Sequence, residues 1–158
     1  MSIIDSLITD RTEQDAILAA SLNARGLQNM TAEEQARYLS AANKGTYKAL
    51  DLNRVTEAAF YVQSRLADAG VSVELTAHQW ADSDIPTADR LEAYRQNIIA
   101  LRAALAVLPG TPEVPDSIPA LTIEEANHIE QILLNIDSML DLMAAAPIYS
   151  GEIYAGEV

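Results

Sequence analysis

Chemistry in this chain would have to come from two histidines, a set of scattered carboxylates and one acidic loop around the single tryptophan, because the 158 residues include no cysteine. The lack of thiols removes disulfides, thiolate nucleophiles and Cys-ligated metals together. His128 and Glu130 stand two apart in a helical stretch and so point to opposite sides of it, while His78 lies far away in irregular chain. Neither His-x-x-x-His nor His-x-x-Glu, the spacings that align ligands on one helix face, occurs. Both histidines are expected to be solvent-exposed or capping groups. Gly-x-Ser-x-Gly is also absent, so no hydrolytic triad is signalled. No catalytic residue, metal or cofactor is assigned, and the chain reads as non-enzymatic.

Three further segments could bind something. Trp80-Ala81-Asp82-Ser83-Asp84-Ile85-Pro86-Thr87 has the acids of a calcium loop but lacks the glycine and closing Glu of an EF-hand. Trp80 is expected to pin this loop onto the core; a stacking platform for a small ligand or carbohydrate is the competing reading. Residues 109–119 hold four of the six prolines with Pro-x-x-Pro spacing, yet without the flanking base that polyproline grooves usually read, so a stiff linker is expected. Finally, residues 148–157 are two near-identical pentapeptides, Ile148-Tyr149-Ser150-Gly151-Glu152 and Ile153-Tyr154-Ala155-Gly156-Glu157. In extended chain Ile148 and Tyr154 share one face and Tyr149 and Ile153 the other, so both faces are apolar. Gly151 and Gly156 permit close backbone approach. This strand-like tail is expected to dock, either on its own domain or against a partner or sister subunit.

The elements that must position these groups are helices. Expected helices run from about Thr12 to Arg25 with a stripe of Ile17, Ala20 and Ala24; from Thr31 to about Asn43, stopped by Gly45; and from Asp51 to Ala69, stopped by Gly70. Val71-Ser72-Val73-Glu74-Leu75-Thr76 alternates like a short strand. A fourth helix spans about Thr87 to Leu108, with Leu91, Tyr94, Ile98, Leu101, Leu105 and Leu108 stepping by three and four. A fifth opens at Thr122-Ile123-Glu124-Glu125 and carries Ile129, Ile132, Ile136, Met139 and Met143, with Leu133 and Leu140 widening its stripe. The fold class is therefore all-α: a bundle of about five helices over residues 1–147, with a Pro-rich crossover linker and an extended C-terminal tail over 148–158. At roughly 3.1 Å per residue the linker could reach about 40 Å, against about 33 Å for the preceding helix, so the last two helices could run parallel or antiparallel.

Composition narrows the partners. With 49% apolar and 21% charged residues the chain should fold, and no apolar run approaches the ~20 residues of a membrane span. A net charge of −13 argues against nucleic acid and anionic membranes. Residues 109–158 hold nine acids and no base, supplying −9 of that total. This asymmetry points to a partner with a basic rim. The first residues, Met1-Ser2-Ile3-Ile4-Asp5, lack the pattern of a secretory signal, which gives an expectation of cytoplasmic synthesis.

Asp51-Leu52-Asn53-Arg54-Val55, Asp84-Ile85-Pro86-Thr87, Glu125-Ala126-Asn127-His128-Ile129-Glu130-Gln131-Ile132-Leu133 and the Tyr149–Glu157 tail, taken in that order, resemble proteins encoded in tail and baseplate regions of phages and prophages of gut Firmicutes. The opening Leu7-Ile8-Thr9-Asp10-Arg11-Thr12 belongs to the same resemblance. It implies a structural or adaptor protein of the virion, assembled in the host cytoplasm with other virion proteins or sister subunits as an oligomer. It carries over no catalytic residue. The alternatives are a ligand- or carbohydrate-binding module using Trp80 and a cytoplasmic regulator that binds a basic protein.

Overall fold

A computed structural model describes residues 1–146; the tail expectations at Ile148, Tyr149, Gly151, Ile153, Tyr154 and Gly156 lie outside the described residues. The described residues form five α-helices and no strand: α1 (Glu13–Arg25), α2 (Ala32–Leu39), α3 (Ala49–Asp68), α4 (Ala88–Ala104) and α5 (Ile123–Ala145), with short 3-10 turns at Ile3–Ser6 and Leu27–Asn29. The all-α bundle expected from the sequence is thus observed. Thr12, Thr31 and Thr122 each accept from the backbone N–H three residues on, whose acid side chain returns the bond: Asp15, Glu34 and Glu125. These reciprocal caps satisfy amides that a helix start leaves open. At the end of α3, Gly70 has φ +85°, the Val71 N–H reaches the Leu66 carbonyl and the Gly70 N–H the Ala67 carbonyl, which closes the helix as a Schellman motif.

The three long helices run in the same direction. Early α3 meets early α5 at Arg54–Glu130, and late α3 meets late α5 where Arg65 binds Asp137 and Asp141. Asn53 and Arg90 both hold the Gln79–Trp80 segment, while Gln63 holds Val73 and Asn97 holds Thr76, which aligns α4 with α3. The open question of parallel or antiparallel packing is therefore decided for parallel. Val55, Val62, Leu66, Ile98, Leu101, Ile129, Ile132 and Leu133 fill the space between them almost without exposure. Each buried large aliphatic contributes about 1.5–3 kcal/mol, so this layer is the main source of cohesion.

Parallel neighbours require the chain to return along the bundle twice. The linker does so once: Arg102 Nε donates to the Pro112 carbonyl and Arg95 Nε to the Pro115 carbonyl, so the chain descends α4 as its number rises. Residues 71–80 make the other return. They alternate in burial as a strand would, with Val71, Val73 and Leu75 against the core and Ser72, Glu74 and Thr76 outward. The expected strand does not form, because no second strand lies beside it; side-chain amides take that place. Asn97 accepts the Thr76 N–H at 2.8 Å and donates to its carbonyl at 2.7 Å. Asn53 does the same for Trp80 at 2.9 and 2.7 Å, and Asn127 for Arg11 at 3.0 and 3.0 Å. Each of α3, α4 and α5 thus grips one residue of extended chain by both backbone groups, the pairing a β-ladder would otherwise supply.

Several boundaries move from expectation. Helix α2 ends at Leu39 rather than Asn43, and Gly45 is not its stop: an added Cβ there would stand 1.9 Å from the Asp15 carbonyl oxygen, so Gly45 is a close approach of backbone onto α1. Helix α4 ends at Ala104, leaving Leu105 and Leu108 in the linker. Ala19 and Leu22, not Ile17, Ala20 and Ala24, are the buried face of α1. Near its end α5 buries Leu140 and turns Met143 outward.

Candidate functional site

The most unusual chemistry in the structure is a closed set of four charges inside the N-terminal end of the bundle. Arg11 comes from the segment before α1, Asp51 and Arg54 from the first turns of α3, and Glu130 from α5. Glu130 is 0% exposed and accepts four hydrogen bonds: Arg11 Nη2 at 2.5 Å and Arg54 Nη2 at 2.8 Å on one oxygen, the Ile8 N–H at 2.6 Å and Arg54 Nε at 3.3 Å on the other. Asp51 accepts Arg54 Nη2 at 2.7 Å, Arg11 Nη2 at 3.4 Å and, across the α3 start, the Lys48 N–H at 3.0 Å. Two cations and two anions cancel. Burial pulls the Arg54 guanidinium toward neutrality, but its bonds to Glu130 and then to Asp51 more than reverse that and raise its pKa.

The neighbourhood is polar without being open. Tyr47 and Tyr94 share a hydroxyl–hydroxyl bond of 2.8 Å, and Arg11 stands 5.4 Å from the Tyr47 ring centre. Burial, then the Glu130 charge, pushes the Tyr47 phenol up; burial, then Tyr47, does the same to Tyr94. Both phenols stay neutral. Glu130 has all four of its lone pairs engaged and Asp51 three of four, and this geometry fastens the N-terminal segment to α3 and α5.

The second feature is a groove of about 750 Å³ beside that network, between the α2–α3 junction and the loop before α4. Tyr38, Leu39, Leu50, Trp80 and Pro86 line it, with Asp82 and Asp84 at the rim. Trp80 is only 3% exposed: Arg90 covers its ring at 4.3 Å, Tyr94 meets it edge-on at 6.5 Å, and His78 packs at 5.6 Å. It pins the loop as expected, and its indole Nε1 has no partner within the protein. His78 departs from expectation: its Nε2 is buried, and burial, followed by the nearby Arg90 charge, lowers its pKa. His128 is partly exposed and lies 3.6 Å from Glu124. Of the acids of the Trp80 loop, Asp84 serves the turn, accepting the Ala81 N–H at 2.9 Å and lying 3.6 Å from Arg90. No group of three or more His, Asp or Glu able to hold a metal occurs among the described residues.

The acid-rich last third of the chain also has a different meaning in three dimensions. Glu113 pairs with Arg102, Glu130 with Arg11 and Arg54, and Asp137 and Asp141 with Arg65, so four of its nine acids meet bases from earlier in the sequence. Nine of the ten Lys and Arg side chains make bonds within the fold. The charged quartet was missed by sequence reasoning. One signal was present: Glu130 continues the apolar stripe of Ala126 and Leu133, where a charge must be buried and paired. Nothing local marks Arg11 as its partner. In comparisons with protein-family models, characterised proteins and solved structures, nothing matches the chain.

Proposed function

We propose that this chain is a non-enzymatic structural or adaptor protein of a tailed phage, from the tail or baseplate region, attached to a partner or sister subunit through residues 148–158. The resemblance in the order of its segments supplies the virion setting. The observation that carries the attachment is electrostatic. Arg65, the base at the late α3–α5 surface, is already bound by Asp137 and Asp141, and the last turn of α5 contains none. Glu152 and Glu157 would therefore meet Asp137, Asp141 and the negative end of the α5 dipole if the tail folded back there. A partner surface with apolar pockets and a basic rim receives the tail better. The rigid parallel bundle then serves as spacer, and its charges are consumed in holding that spacer together.

Deleting residues 148–158 should leave helical circular dichroism intact and abolish entry into virions or co-purification with them. A truncated chain that enters particles at the normal level would sink the attachment.

A further inference from the structure

Parallel helices separate the two ends of the molecule. The tail leaves from the C-terminal end of α5, whereas the groove beside Trp80 opens at the N-terminal ends of α3 and α4, about 30 Å away by the length of a 20-residue helix. The surface around this groove is more apolar than solvent contact explains. Leu39 is 61% exposed, Leu50 40%, and Ile85, next to the lining, 88%. Leu39 follows directly on Tyr38, whose carbonyl binds Lys48 Nζ, so Leu39 and Leu50 face the same opening from α2 and α3. Contiguous apolar exposure of this kind marks binding surfaces rather than ordinary exterior.

We propose that this groove docks an apolar segment of a second protein whose flanks carry Lys or Arg, giving the adaptor an attachment point at the end opposite its tail. The net charge of the chain, −13, selects that chemistry. At the rim Asp82 and Asp84 are both exposed; Asp84 is paired with Arg90, which also donates to Gln79 and covers the Trp80 face, while Lys48 keeps its charge as it donates to the Tyr38 carbonyl. Asp82 has no such partner in the groove among the described residues and is the rim acid open to a basic flank. The α3 start is already capped by Asp51 and the α4 start by Thr87, so neither offers open amides to an anion. Another copy's tail fits less well, since it brings Glu152 and Glu157 on one chain of net charge −13 to a second chain of the same charge. The inference goes beyond the tail reading and stands without it.

The only tryptophan lines this groove, so its emission reports occupancy. Three synthetic peptides of about a dozen residues would be titrated into the full chain: Leu and Ile anchors at helical spacing with Lys flanks, the same anchors with Glu flanks, and residues 147–158 of this chain. The Lys-flanked peptide should shift Trp80 emission and bind at least about tenfold tighter than the Glu-flanked one at low salt, with the gap narrowing as salt rises. Asp82→Lys should weaken it, and Leu39→Asp with Leu50→Asp should abolish it while circular dichroism stays unchanged. Equal binding of both designed peptides, preference for the tail peptide, or no binding at all would overturn the proposal. Virion entry of the tail-deleted chain reads the other attachment separately.

Discussion

The parallel core and the α1–α2 hairpin are built of the same residue types and held by different forces. In the core, α3, α4 and α5 bury an aliphatic layer and a neutral set of four charges; α2 buries none of its own residues fully, and α1 only Ala19 and Leu22. The hairpin relies on caps, on exposed pairs such as Arg25–Glu34 and Lys44–Asp10, and on one backbone contact at Gly45. Surface pairs are worth roughly 0–1 kcal/mol, while an unpaired buried charge costs several. The core is thus intolerant of change where the hairpin is forgiving, and local opening should begin in the hairpin.

Glu130→Ala is the sharpest way to break that contrast. It strands Arg11 and Arg54 inside the protein and releases the Ile8 amide, so urea unfolding should show a loss of about 3–5 kcal/mol. A loss below about 1 kcal/mol would mean the quartet is better hydrated than its burial implies. Next in size is Gly45→Ala, whose Cβ collides with the Asp15 carbonyl rather than with a flexible side chain. It should cost about 1–3 kcal/mol and raise hydrogen exchange in α1 while α3–α5 stay protected. Equal loss of protection in both regions would show that hairpin and core open together.

The smallest effect belongs to Arg25→Ala. Arg25, together with the Thr31 amide, holds the Glu34 carboxyl down to about 2. Because that pKa is lowered on folding, whatever the pair contributes is present above the ordinary carboxylate range and disappears as pH falls from there toward 2. The variant should move the Glu34 titration upward by NMR and leave the unfolding midpoint at neutral pH unchanged. A clear midpoint shift would mean that exposed pairs matter more to the hairpin than its geometry indicates.

Much of the fold was legible because helix signals are local. The Thr-x-x-acid boxes at Thr31 and Thr122, the three-and-four spacing through Val55–Leu66 and the glycine stop at Gly70 all act within a few residues. The 71–76 segment shows the limit of such signals: its alternation is matched by alternating burial, but the strand it suggests does not form, because whether a neighbour is a strand or an asparagine is not written in the segment itself. Gly45 failed for the same reason, as its constraint comes from Asp15, thirty residues away. Of the candidate sites, Trp80 was visible as a lone indole at a loop, whereas the groove beside it needs Leu39 and Leu50 brought together from separate helices.

What the sequence determined alone is the helical class, most helix starts, the helix-excluding proline linker and the acidic character of the chain. Those depend on backbone preference, capping and periodicity, which neighbours in sequence decide. Only the tertiary structure set the helices parallel, paired the base-free last third with arginines from the first two-thirds, and enclosed Glu130 with Arg11 and Arg54. Burying a charge is tolerable only when a partner arrives from elsewhere in the chain, and that partner's identity is a property of packing rather than of local sequence.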